Sequence, residues 1–126
     1  MKIENIKYKA KRLDNGEWII GSFVVMKIPA LSKTTIGIVA SDGATLHEID
    51  PTTVCQFTGL LDYEGNEIFE HDLIHFVGYK PIGEVIWSEG NCAFMAVCEN
   101  KHSYWLHDVI KTCKIEKIGN KFDKKK

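Results

Sequence analysis

The chain has no apolar run long enough to cross a membrane, only three prolines, almost no net charge and no stretch of helical periodicity over ten or more residues. Each absence removes a class of protein. Its apolar stretches are strand-sized, and the opening Met1-Lys2-Ile3-Glu4-Asn5-Ile6 lacks the apolar core of a secretory signal, so the expectation is a chain that stays in the compartment where it is made, with no membrane partner. A formal net charge of -1 leaves no global positive field to draw the chain onto phosphate. The local basic cluster of Lys121, Lys124, Lys125 and Lys126 reads as a solvated terminus. No GxSxG elbow, HExxH pair, Walker loop or GxGxxG turn occurs, which removes the common hydrolase, metalloprotease and nucleotide-binding mechanics. The four cysteines, Cys55, Cys92, Cys98 and Cys113, lie in or near apolar segments and read as buried, reduced thiols.

What is present is the pattern of a β protein. With 126 residues, 44% hydrophobic and 26% charged, the chain has the size and balance of one globular domain. Short runs of Val, Ile, Thr and aromatics, bounded by Gly, Asn, Asp and Pro, recur throughout. Segments 7–13 and 18–26 flank Asp14-Asn15-Gly16 and predict an opening hairpin. Segments 34–39 and 45–49 flank Ser41-Asp42-Gly43 and predict a second. Asp50-Pro51-Thr52-Thr53 predicts one capped helical turn. Downstream, 72–77, 83–87, 93–98, 105–110 and 113–118 read as successive short strands or turns, with Ser88-Glu89-Gly90-Asn91 as a turn between two of them. Five short strands in so few residues bury their faces economically by closing into a small SH3-like or OB-like barrel. The expected architecture is therefore mainly β: N-terminal hairpins over 1–53, a turn segment over 54–71, a small barrel over 72–120 and a basic tail over 121–126, all in one domain. Pro29 and Pro81 are candidates for protecting strand edges.

The most distinctive stretch, residues 54–74, reads VCQFTGLLDYEGNEIFEHDLI. Its Gln56-Phe57-Thr58-Gly59-Leu60 element, the turn with Gly65, the run Glu67-Ile68-Phe69-Glu70 and the pair Asp72-Leu73 resemble the YopX family of phage and prophage proteins. IKYKAKRLDNGEW and IIGSFV upstream, and IGEVIW, the strand over 93–97 and IEKIGN with Gly119 and Asn120 downstream, extend the resemblance over nearly the whole chain. The sequence departs from the family pattern at His71, where Gly is usual, at Cys55, where a small residue is common, and at Lys11, where an aromatic is usual. His71 therefore marks a position of positive φ or close backbone approach. The resemblance implies a mainly β fold with a small barrel, a setting in bacterial mobile elements and hence in the host cytoplasm, and no assigned reaction.

Candidate chemistry is sparse. Cys92, Cys98, His102 and His107 lie close in sequence, but Cys92 and Cys98 bracket a strand instead of presenting paired ligands from one turn, so neither a metal nor another cofactor is expected. Asp62, Glu64, Asn66 and Glu67 lack the twelve-residue spacing of a calcium loop and read as a solvated turn. No cysteine or serine stands in a motif that pairs it with a base, and no catalytic residue is assigned. The remaining idea is binding through aromatics: Tyr79, Trp87, Tyr104 and Trp105 fall in the C-terminal half. Alternation in GEVIWSEG and SYWLHDVI places part of the tryptophan set in the core, and the flanking Gly78, Lys80 and Ser103 mark Tyr79 and Tyr104 as exposed, so that Tyr79, Lys80 and Tyr104 are the candidate binding surface. The functional expectation is a nonenzymatic interaction domain that binds a protein of phage or host through a strand edge or groove, with homo-oligomers through open edges compatible with it. The alternative is single-stranded nucleic-acid binding by Lys80 and the aromatics.

Overall fold

The computed structural model describes residues 2–40 and 45–123. The Ser41-Asp42-Gly43 turn and Lys124, Lys125 and Lys126 lie outside the described residues. The chain divides into two compact units, Met1–Phe57 and Thr58–Lys126.

The first unit is built on β1 (Tyr8–Lys11), β2 (Trp18–Ile28), β3 (Lys33–Ala40) and β4 (Leu46–Glu48) in the order β4-β3-β2-β1, all antiparallel. Both expected hairpin pairings are present. The first turn closes through Arg12 N–H to the Glu17 carbonyl, with Gly16 alone in the left-handed region. Pro29 opens a 3₁₀ turn, Pro29–Leu31, that joins two neighbouring strands, so it does not protect an edge. Another 3₁₀ turn, Pro51–Thr53, is capped by the Asp50 carboxylate accepting from Thr52 N–H at 3.0 Å, as the sequence predicts. The core here is small: Ala10, Ile38 and Ile49, with Tyr8, Ile19, Ile36 and Val54 against it. β5 (Cys55–Leu61) begins in this unit, where Cys55 and Gln56 pair with Lys9 and Tyr8, and runs into the next.

The second unit holds β6 (Glu67–Phe69), the neighbour of β5, followed by β7 (Asp72–Phe76), β8 (Ile82–Ser88), β9 (Ala93–Cys98), β10 (Ser103–Trp105), one helix α1 (Leu106–Thr112) and β11 (Ile115–Asn120). β7 to β11 form an open antiparallel sheet in the order β10-β9-β8-β7-β11, and it does not close. The expected SH3-like or OB-like barrel is therefore absent. The reason lies in 105–110, read above as a short strand or turn: it is mostly helix, and Leu106 and Val109 drop into the core beside Ile74, Phe76, Val85, Ala96, Cys98 and Ile115. A helix laid on one face buries that face without closure. Trp87 and Trp105 are both more than two-fifths exposed, so the core positions in these stretches belong to Val85, Leu106 and Val109 instead. Pro81 immediately precedes β8, an interior strand, where a missing N–H is tolerated at the entry, and it marks no edge.

Candidate functional site

The YopX-like segment assembles a polar clasp in the second unit. Thr58 donates its hydroxyl to the Ile68 carbonyl at 2.7 Å and accepts from Leu60 N–H, fixing β5 to β6. The chain then turns through Asp62–Asn66, where Gly65 takes φ +88, a backbone state that costs glycine little. Asp62 is buried, and this corrects the expectation of a wholly solvated acidic turn. Its carboxylate accepts from the N–H groups of Glu64, Asn66 and Lys117 and from the Asn66 amide, at 2.8 to 3.1 Å. Burial opposes its ionisation, but the bonds from Lys117, Asn66 and Glu64 outweigh burial and hold the carboxyl below its ordinary range.

Ile68 and Phe69 bury their side chains, and Asp72 at the head of β7 is fully buried beside them. A buried charge must be paired. Asp72 accepts from Phe69 N–H at 2.7 Å and from the Asn120 amide at 2.9 Å, and the Lys117 ammonium stands 3.2 Å away. Lys117 also donates to the Glu67 carbonyl, and Asn120 to that of Glu70. Gly119 sits at the register shift of β11, where a Cβ would come within 3.2 Å of Asp123. His71 has φ +68, so of the two features expected at this position it is positive φ that the backbone shows. Its Nδ1 lies 2.9 Å from Glu84 and its ring meets Phe122 edge-on. In the first unit, Gln56 lies opposite Tyr8, and Phe57 lies under the Lys7 ammonium and donates its N–H to the Lys7 carbonyl. These contacts tie the segment into the fold. Sequence reading had missed Asp62 and Lys117 as its charged members.

A groove of about 270 Å³ opens elsewhere in the same unit, lined by Phe76, Tyr79, Pro81, Cys98, Tyr104, Val109, Thr112 and Cys113. Two of the three expected surface residues meet in it. Tyr104 projects from β10, its ring 5.8 Å from that of Phe76. Tyr79 stands on the turn after β7, which Gly78 enters at φ +92; Tyr79 N–H bonds the Phe76 carbonyl, and His75 donates from Nε2 to the Tyr79 carbonyl at 2.8 Å. His75 is itself held by Glu116 at 3.1 Å through Nδ1. Lys80 is exposed beside Tyr79 but forms no part of the wall.

The lining carries no charged side chain. The Thr112 hydroxyl is spent on the Asp108 carbonyl, and burial, with Glu99 nearby, pushes the Cys98 thiol up, so it stays protonated at neutral pH. All four cysteines are free, and Cys92 and Cys98 stand at opposite ends of β9. Cys92 is exposed, unlike the buried thiol expected. Among the described residues no group of three or more His, Cys, Asp or Glu could hold a metal ion, and no helix is long and apolar enough to cross a membrane. Six of the eight groove residues were not expected in a binding surface, although Leu106, Val109, Ile110 and Cys113 carry helical spacing.

Comparison with curated proteins gives no match. Residues 7–125, nearly the whole chain, match the family model described as YopX protein, and the chain belongs to the YopX family.

Proposed function

We propose that this protein is a nonenzymatic interaction domain whose second unit binds a protein partner, of phage or host, in the groove between Tyr79 and Tyr104. One observation carries the reading: an open, uncharged hollow is rimmed by two exposed tyrosines held on built turns and strands. The cores of protein interfaces are depleted in charge and enriched in aromatics, and a few such residues supply most of the binding energy. At about 270 Å³ the hollow lies below the range of sites for drug-sized ligands and suits one or two apolar side chains of a partner. Burial pushes the Cys98 thiol up, the opposite of what activates a cysteine nucleophile. Nucleic-acid binding would call for a cationic track along the aromatics, and Lys80 stands outside the wall.

The test is capture from bacterial host lysate by tagged wild-type chain and by the Tyr79→Ala and Tyr104→Ala variants, each with and without nuclease. The reading predicts a discrete protein that survives nuclease and is lost with either variant. Recovery of nucleic acid alone, or of proteins lost on nuclease treatment, would replace it with single-strand binding.

A further inference from the structure

β2 outruns its neighbour on one side. β1 covers β2 only from Trp18 to Gly21, whereas β3 pairs with it from Gly21 to Ile28, so residues 22–28 face no strand on their other edge among the described residues. The orientation of the backbone there follows from the ladder. Ile49 donates its N–H to the Ile36 carbonyl, which turns the even-numbered residues of β3 toward β4. Antiparallel alternation then turns the N–H and C=O groups of Phe23, Val25 and Lys27 out to the open edge. The side chains along it are apolar and exposed: Phe23, Val25 at 53% and Met26 at 41%. An open, apolar strand edge is a template for another strand, and this one carries no proline and no bulge to block it.

We infer that this edge pairs with the same edge of a second copy of the chain, antiparallel about a two-fold axis at Val25. The segment is complementary to itself. Centred there, Val25 faces Val25 of the second copy, Val24 faces its Met26, and Phe23 faces its Lys27. Lys27 is the only charge in residues 22–28, and it falls opposite a ring that favours a cation instead of opposite its own copy. The outward groups of Phe23, Val25 and Lys27 then exchange about six interchain hydrogen bonds. An edge this short buries less than a stable interface needs, so the dimer is weak, with dissociation in the micromolar range. This self-pairing involves only the first unit and is independent of the groove.

Sedimentation velocity on the full chain, from about 1 μM to about 500 μM, reads the association, with circular dichroism as the control for folding. Val25→Asp sets two carboxylates face to face and raises the dissociation constant at least about tenfold, as does Val25→Arg. An equimolar mixture of the two variants returns to within about threefold of wild type, because unlike charges then meet across the axis. Val25→Pro also abolishes dimers, since the N–H it removes points away from β3. A chain monomeric throughout the range, a dimer indifferent to both charge variants, or growth into open polymers would overturn the inference.

Discussion

Asp72→Asn is the sharpest probe of the clasp. The substitution keeps the shape of the side chain and removes its charge. In the native site both carboxylate oxygens meet donors: one receives the Asn120 amide at 2.9 Å, the other Phe69 N–H at 2.7 Å with the Lys117 ammonium at 3.2 Å. An asparagine amide must turn its NH₂ toward one of those two sides, so a donor faces a donor whichever way it flips. A hydrogen bond to a charged group contributes about 1.5–3 kcal/mol, and a buried donor left unsatisfied adds about 1–3 kcal/mol. The ammonium loses its counter-ion as well, but Lys117 is a quarter exposed and keeps the Glu67 carbonyl, so that part is heavily screened. The expected loss is about 3 kcal/mol, roughly a hundredfold in the folded-to-unfolded ratio. Urea unfolding followed by tryptophan fluorescence measures it, since Trp87 and Trp105 both lie in the second unit. Lys117→Met costs a comparable amount by stranding the carboxylate, and the double variant costs clearly less than the two singles together. A loss below about 1 kcal/mol for Asp72→Asn, or strict additivity in the double variant, would refute the account of the clasp.

Other consequences can be checked on the same chain. Because hydrogen bonds hold Asp62 below its ordinary pKa of 3.8, its contribution is present above that value and is lost as pH falls through the lower folded value. Asp62→Asn therefore flattens the acid limb of the stability curve, measurable by thermal melts between about pH 5 and pH 2, and an unchanged slope would contradict the assignment. His71→Gly and His71→Ala both lose the contacts to Glu84 and Phe122, but only alanine keeps a Cβ at φ +68, so the glycine variant is more stable than the alanine variant by about 1 kcal/mol. Equal melting temperatures for the pair would count against positive φ at this position. Tyr79→Ala leaves the unfolding free energy within about 0.5 kcal/mol of wild type, since the residue is two-thirds exposed, and a larger loss would make the tyrosine structural.

The strands were legible where alternation or turn residues marked them. β9 falls on the expected residues, and the expected Asp50 cap forms. The helix was not, because Leu106–Thr112 is shorter than the window in which helical period separates from strand period, and Tyr104-Trp105 before it favours a strand. That one element decided the architecture, since it covers the sheet face whose burial would otherwise require a closed barrel. The clasp escaped for a different reason: an acidic turn reads as solvated, and only the fold brings Lys117 and Asn120, far along the chain, onto Asp62 and Asp72. Tyr79 and Tyr104 were found as exposed rings by their polar flanks, but the hollow between them depends on Val109, Thr112 and Cys113, which the missed helix supplies.

The most direct test of the groove as the protein-binding site is a photo-crosslinking amino acid placed at Tyr79, and separately at Trp87, in chain expressed in the bacterial host. Both positions are exposed in the second unit, but only Tyr79 lines the hollow. The account predicts one discrete protein adduct from position 79 that is absent from position 87 and that disappears when Tyr104→Ala is added. Identical adducts from both positions, or nucleic acid as the crosslinked species, would contradict it.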